Sequence, residues 1–139
     1  MKLSGHADSR KMVGRIRGVK TAFRAAHERG MRIESNLLLE RMRDRTPVDM
    51  RPNAPHPGAL RNSGRVEVTH KSADVIEAQF TFGDDGIVNY AVYVHENLEA
   101  HHTVGQAKYV ESVLNEDGPD FLAKLAPHVH FDSLSVQEE

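Results

Sequence analysis

From Ile16 onward, apolar residues recur at alternating steps of three and four: Ile16, Val19, Phe23, Ala26, Gly30, Ile33 and Leu37, with Leu38 and Met42 widening the row at its end. That spacing holds one stripe on one face of a 3.6-residue helix. Arg15, Arg17, Lys20, Arg24, Arg29, Arg32, Arg41 and Arg43 mostly lie off the stripe. Gly18 and Gly30 each weaken a helix by about 1 kcal/mol relative to Ala and mark where a kink or a late start would fall. If continuous, about 27 residues make a rod of roughly 40 Å, longer than a small domain needs to cover its own sheet. One end is therefore expected to project towards a neighbour. Thr46-Pro47 ends the helix, because a residue before proline is pushed out of the α region.

The pattern then changes. Pro47, Pro52, Pro55, Pro57 and Gly58, with Asp49 and Asn53 between them, fit neither a ladder strand nor a helix. Both flanks read as parts of one core, so this segment is a binding loop rather than a linker. Val66 and Val68 open a sheet, and Ile76, Ala78, Phe80 and Phe82 alternate with Glu77, Gln79 and Thr81. Val88, Tyr90, Val92 and Val94 alternate in the same way with Asn89, Ala91, Tyr93 and His95. With turns at Ser72-Ala73 and at Gly83-Asp84-Asp85-Gly86, the chain reads as an antiparallel meander of strands near 65–71, 74–82 and 87–95. Ala107, Val110 and Leu114 mark a C-terminal helix stopping near Asn115, and Gly118-Pro119 restarts a short one through Phe121, Leu122 and Leu125. Val129 and Phe131 offer a short fourth edge strand. The fold class is α+β: a long N-terminal helix on a three- to four-stranded antiparallel sheet, with one or two C-terminal helices. Residues 1–14 form a flexible arm, 15–126 one domain and 127–139 a tail.

At 139 residues the chain fits one domain and needs no staples, and it has no Cys. It contains no apolar run near 18 residues and no charged-then-apolar leader, the pattern of an intracellular soluble protein without membrane contact. The net charge of -2 hides an asymmetry: residues 1–66 hold 15 Lys/Arg against 6 Asp/Glu, and residues 67–139 hold 3 against 14. Such blocks suit a nucleic-acid face with an acidic tail, or two surfaces that meet in an assembly; they are equally met as solvated faces.

His95-Glu96, Glu99, His101 and His102 invite a metal, since imidazole and carboxylate suit zinc. The spacing argues otherwise: a metalloprotease helix needs His-Glu-x-x-His, and here position 99 is Glu and the next His is at 101. His128 and His130 are weaker candidates. There is no Gly-x-Ser-x-Gly elbow, phosphate-cradling loop or dinucleotide fingerprint, and Ser63 has no evident base. No catalytic residue, metal site or cofactor is expected. Aromatic residues are not interleaved with the helix arginines, so nucleic acid would be held through backbone phosphates only.

Four strings, in order, carry a resemblance: Arg45-Thr46-Pro47-Val48-Asp49 closing the helix, Gly58-Ala59-Leu60-Arg61-Asn62-Ser63, Tyr90-Ala91-Val92-Tyr93-Val94-His95-Glu96, and Gly105-Gln106-Ala107-Lys108-Tyr109-Val110-Glu111. Over about residues 16–126 the chain resembles the tail-completion and head–tail joining proteins of long-tailed bacteriophages. In that family the Asp commonly runs almost directly into Gly-Ala-Leu; here Met50 to Pro57 stand between them. The resemblance implies a non-enzymatic virion protein made in the host cytoplasm and built into a ring at the neck, hexameric rather than dodecameric. Its partners would be itself, adjacent neck and tail proteins and, non-specifically, DNA in the channel. Tail terminator, or minor capsid or connector component, are related readings; a nucleic-acid-binding accessory protein is the reading from another class. The residues expected at subunit or neck-partner interfaces are Arg24, Arg29, Arg32 and Arg41 on the basic flank, Pro52, Pro55 and Pro57 in the loop, and His95, Glu96, Glu99, His101, His102 and Glu111 beyond the third strand.

Overall fold

The computed structural model describes residues 9–83 and 86–129. Helix α1 runs unbroken through 37 residues, Ser9–Arg45, a rod of about 55 Å. It takes in residues 9–14, which the composition assigned to an arm; residues 1–8 lie outside the described part. After the proline-rich loop come α2 (Ala59–Ser63), β1 (Arg65–His70) and β2 (Ile76–Thr81). They are followed by α3 (Ala91–Glu96), α4 (Tyr109–Asp117) and α5 (Phe121–Leu125), with 3-10 turns at Gly118–Asp120 and Ala126–His128 flanking α5. The architecture is α+β, with one antiparallel two-stranded sheet among the described residues. Val66 pairs with Phe80 and Val68 with Ala78 in its register.

The core falls into three clusters, two of them built on α1. Leu38 and Met42 meet Val113, with Phe80, Phe82, Val110 and Phe121 around them. Met31 meets Val68 and Leu125, flanked by Ile76 and Ala78. Leu60, Val88, Ala91 and Tyr109 form the third, with Phe82 and Val110 bridging to the first. The alternating face Ile76, Ala78, Phe80 and Phe82 thus packs inward as the pattern predicts.

Two expectations are corrected. The first is the third strand, 87–95, which instead is a turn leading into α3. Its buried residues are Val88 and Ala91, three apart, with Val94 partly buried three further on, a helical period that the same short apolar run also satisfies. Tertiary geometry decides between the periods. Gly83 turns at φ 91°, and a Cβ there would lie 2.7 Å from the Val88 carbonyl oxygen, so the chain folds back too tightly to lay a strand beside β2. The expected fourth strand is not formed at Val129, and Phe131 lies outside the described residues.

The second correction is the buried face of α1. The core-facing positions are Met31, Ser35, Leu38, Leu39 and Met42, whereas Ile16 is 60% and Leu37 56% exposed, and Val19, Phe23 and Ile33 are exposed as well. Of the regular stripe, only Ala26 and Gly30 are covered. The covering element at Gly30 is the turn after α5: a Cβ on Gly30 would stand 2.9 Å from the His128 Cβ, and His128 Nε2 lies 2.8 Å from Glu34 Oε1. Among the described side chains from Arg10 to Ala25, none is buried, so the N-terminal third of α1 projects.

These packing differences give opposite expectations for two glycines on one helix. Gly14→Ala, with nothing within 4 Å of the added methyl, should stabilise the protein by up to about 1 kcal/mol through helix propensity. Gly30→Ala should destabilise it, because the same methyl displaces the His128 turn. Urea denaturation of the two variants checks the pair, and equal shifts would show that the turn gives way freely.

Candidate assembly interface

The C-terminus of α1 is closed by parts of the chain that are distant in sequence. Thr46 is fully buried, and its hydroxyl donates to the Met42 carbonyl at 2.7 Å. The Arg61 guanidinium donates to the Thr46 carbonyl at 3.0 Å, the Gln106 amide to the Arg45 carbonyl at 2.8 Å, and the Val48 amide to the Val104 carbonyl at 3.3 Å. Gly105, at φ 84°, lets the chain pass so close that a Cβ would meet Pro47 N at 2.5 Å. Ser63 Oγ donates to the Leu60 carbonyl at 2.6 Å and accepts the Gly83 amide at 2.8 Å. Its hydroxyl is thereby committed to a turn.

Outside this joint, the proline-rich loop and the segment after α3 wall an open cleft of about 780 Å³. Pro55, His101 and His102 line it together with Asp49, Arg51, Tyr90 and Val94, whereas Pro52 and Pro57, both exposed, do not. Arg51 folds onto Asp49, its Nε 2.9 Å from Oδ1. The Arg51 guanidinium, then its backbone amide, hold the Asp49 carboxyl down at about 2. His102 Nε2 is buried without a hydrogen-bond partner, and His101 is exposed.

His95 turns away to another neighbour. Its ring stands edge-on to Tyr109 at 4.9 Å, and its Nδ1 lies 2.7 Å from Glu96 Oε1. Lys108 bridges Glu96 at 2.5 Å and Glu111 at 3.0 Å, and that ammonium, with His95 second, lowers the Glu96 pKa. Burial pushes the Tyr109 hydroxyl up to about 12. His95 and Glu96 therefore lie beside Tyr109 and Lys108, His101 and His102 line the cleft, and Glu99 is exposed. No group of three His, Asp or Glu side chains among the described residues is placed to share a metal ion, and none of the helices in that part is long and apolar enough to cross a membrane.

The basic flank is also divided. Arg41 pairs with Asp117 and, at 3.1 Å, with Glu116; Arg32 pairs with Glu28 at 2.6 Å and reaches the Val68 carbonyl at 3.4 Å. Arg24 lines a smaller cleft of about 420 Å³ with Lys20, Phe23 and the turn before β2, and Arg29 is exposed. Sequence reasoning missed Arg45, Asp117 and Lys124: Arg41 and Arg45 fasten α4 to α1 through Glu116 and Asp117, with Arg45 Nη2 2.5 Å from Glu116, and Lys124 of α5 meets Asp117 at 3.0 Å. The spacing of Arg41 and Arg45 four apart, opposite Glu116-Asp117, is the signal that marks this clamp. A scan of family models and searches of curated proteins and of solved structures find no match for this chain.

Two outcomes follow from these charges. In NMR titration, Asp49 should ionise near 2 and return towards its ordinary 3.8 in Arg51→Ala. Asp117 is lowered chiefly by the Lys124 hydrogen bond and Glu116 chiefly by Arg45. Depressed folded values mean that the clamp's contribution is present above the ordinary values of 3.8 and 4.5 and is lost as pH falls through the folded ones. Asp117→Asn should therefore lose roughly 1–3 kcal/mol at neutral pH and show a shallower loss of stability on acidification than the parent. Parallel acid curves would remove the clamp from the stability of the fold.

Proposed function

We propose that this chain is a structural, non-enzymatic virion protein of a long-tailed bacteriophage that forms a ring at the neck, completing the tail and joining it to the DNA-filled head. One observation carries the reading: the strings that bear the resemblance meet at one joint of the fold. Thr46-Pro47 is buried at the end of α1, Arg61 donates to the Thr46 carbonyl, and Gly105 packs on Pro47. Tyr109, 1% exposed, holds α3 against α4. The motif residues therefore build a scaffold, and assembly is left to the projecting helix, the exposed proline loop and the acidic C-terminal half. Tail terminator, or minor capsid or connector component, are positions in the same assembly.

The reading from another class is a nucleic-acid-binding accessory protein, favoured by a single feature: from Ser9 to His27 the chain holds six Lys/Arg and no Asp/Glu. A phosphate-driven contact weakens steeply with salt, so binding to sheared DNA at two salt concentrations separates the classes.

The neck reading is tested by deleting Arg51 to Pro57, a stretch without a buried side chain. The expected result is a melting temperature within a few degrees of the parent and particles in which heads and tails fail to join. A large loss of thermal stability would place the loop in the fold; normal joining would remove it from the neck.

A further inference from the structure

We infer that the projecting N-terminal third of α1 docks on the α3 face of a second copy of this chain. The inference deepens the ring reading and rests on it only for closure of the ring; the contact itself is read from two surfaces on the subunit. Val13, Ile16, Val19 and Phe23 lie at helical spacing on a segment with no buried described side chain. A free helix of that length with Gly14 and Gly18 inside it is marginal in water, since most helical stability comes from packing an amphipathic face. The segment therefore needs a surface to cover its stripe.

Charge selects the surface. With six Lys/Arg and no carboxylate from Ser9 to His27, two such helices side by side would set like charges along the whole contact. The complement is apolar and acidic, and α3 with the loop after it supplies one: Val92 is 76% and Leu98 74% exposed, with Tyr93 beside them. Glu96 and Glu111 share the single Lys108, and the exposed Glu99 makes no ion pair among the described residues, so carboxylates are in excess. Exposed Leu122, by contrast, stands midway between Asp120 and Lys124, with a charge of each sign two residues away.

The two surfaces cannot meet within one molecule. Lys108, which holds α3 through its amide on the His95 carbonyl, lies two residues from Gln106, which is bonded to Arg45 at the far end of the helix. Roughly 40 Å of rigid helix separates that end from Ile16. A basic apolar helix on one copy and an acidic apolar face on the next make a heterologous contact, which closes into a ring when the rotation allows and otherwise extends as a filament. Apolar burial supplies most of the affinity, and the charges set orientation and encounter rate.

The absence of Cys makes the test direct. Single variants Val19→Cys and Val92→Cys, both at exposed positions, are mixed under mild oxidation, with Val19→Cys plus Leu122→Cys as control. The 19–92 link is expected at about ten times the control yield, a preference worth roughly 1.4 kcal/mol, and is expected to weaken as salt shortens the screening length. Adding Phe23→Glu to the Val19→Cys partner should abolish it, with circular dichroism verifying that the subunit stays folded. A predominance of 19–19 links, or a 19–92 yield no higher than the control, overturns the inference. A strong 19–92 link in a protein whose Phe23→Glu variant still joins heads to tails would sustain the contact and sink the neck reading instead.

Discussion

The fold depends on how the last turn of α1 is closed. A helix end leaves carbonyl groups without intrahelical partners, and burying them unpaired costs far more than exposing them. Here the end is buried, and the Thr46 hydroxyl at the helix end and two separate stretches meet the demand, through the Arg61 guanidinium and the Gln106 backbone amide. Each of those two stretches begins another part of the molecule. Arg61 lies in α2, which delivers the hairpin; Gln106 precedes α4, which delivers the C-terminal half. Glycine at 105 is required because backbone passes backbone there, and at 64 because the Phe82 ring occupies the place of a Cβ, 2.6 Å away. The chain thus spends its most constrained residues on one joint, and the placement of both core-forming halves follows from it.

Beyond the joint, apolar contact outweighs charge. Arg41 and Glu116 pair with side chains 44% and 55% exposed, where an ion pair contributes about 0–1 kcal/mol. Val113 and Met42, both fully buried in the same contact between α1 and α4, contribute about 1.5–3 kcal/mol each. Asp117 is the exception among the charges. Its carboxylate is nearly buried and has two cationic partners, Arg41 and Lys124, so its loss leaves Lys124 without that carboxylate and Arg41 with Glu116 alone.

The class of the fold was legible in the residues; the faces were not. The long helix, the hairpin and the C-terminal restart at Gly118-Pro119 follow from period, turn chemistry and proline position, all local properties. The stripe from Ile16 to Leu37 misled because regular spacing marks a face that prefers to be covered, not the element that covers it. The less regular row Met31, Ser35, Leu38, Leu39 and Met42 is the one that meets the chain's own core. Val88 to Val94 misled for a different reason: so short a run, with Val88, Ala91, Val92 and Val94 in it, satisfies both a period of two and a period near three and a half, and the choice falls to the Gly83 turn. The histidines were grouped by sequence proximity, and the turn of α3 sends His95 to Tyr109 while His101 and His102 face the cleft.

The charge asymmetry takes on a sharper meaning once the partners are known. Along the C-terminal two-thirds of α1, the chain answers many of its own cations: Arg32 with Glu28, Arg43 with Glu40, and Arg41 and Arg45 with Glu116 and Asp117. The halves of opposite sign are therefore partly reconciled inside one subunit, and that portion of the asymmetry is structural. Two local features of the charge pattern stand beside these pairs: a stretch from Ser9 to His27 without a carboxylate, and an excess of carboxylates around Lys108. Large apolar side chains stand in solvent at both places, Ile16 and Phe23 on one, Val92 and Leu98 on the other. Either feature alone is ordinary on a protein surface. Their coincidence at two places of opposite sign is what a head-to-tail assembly requires, since each subunit must carry both halves of the contact it makes.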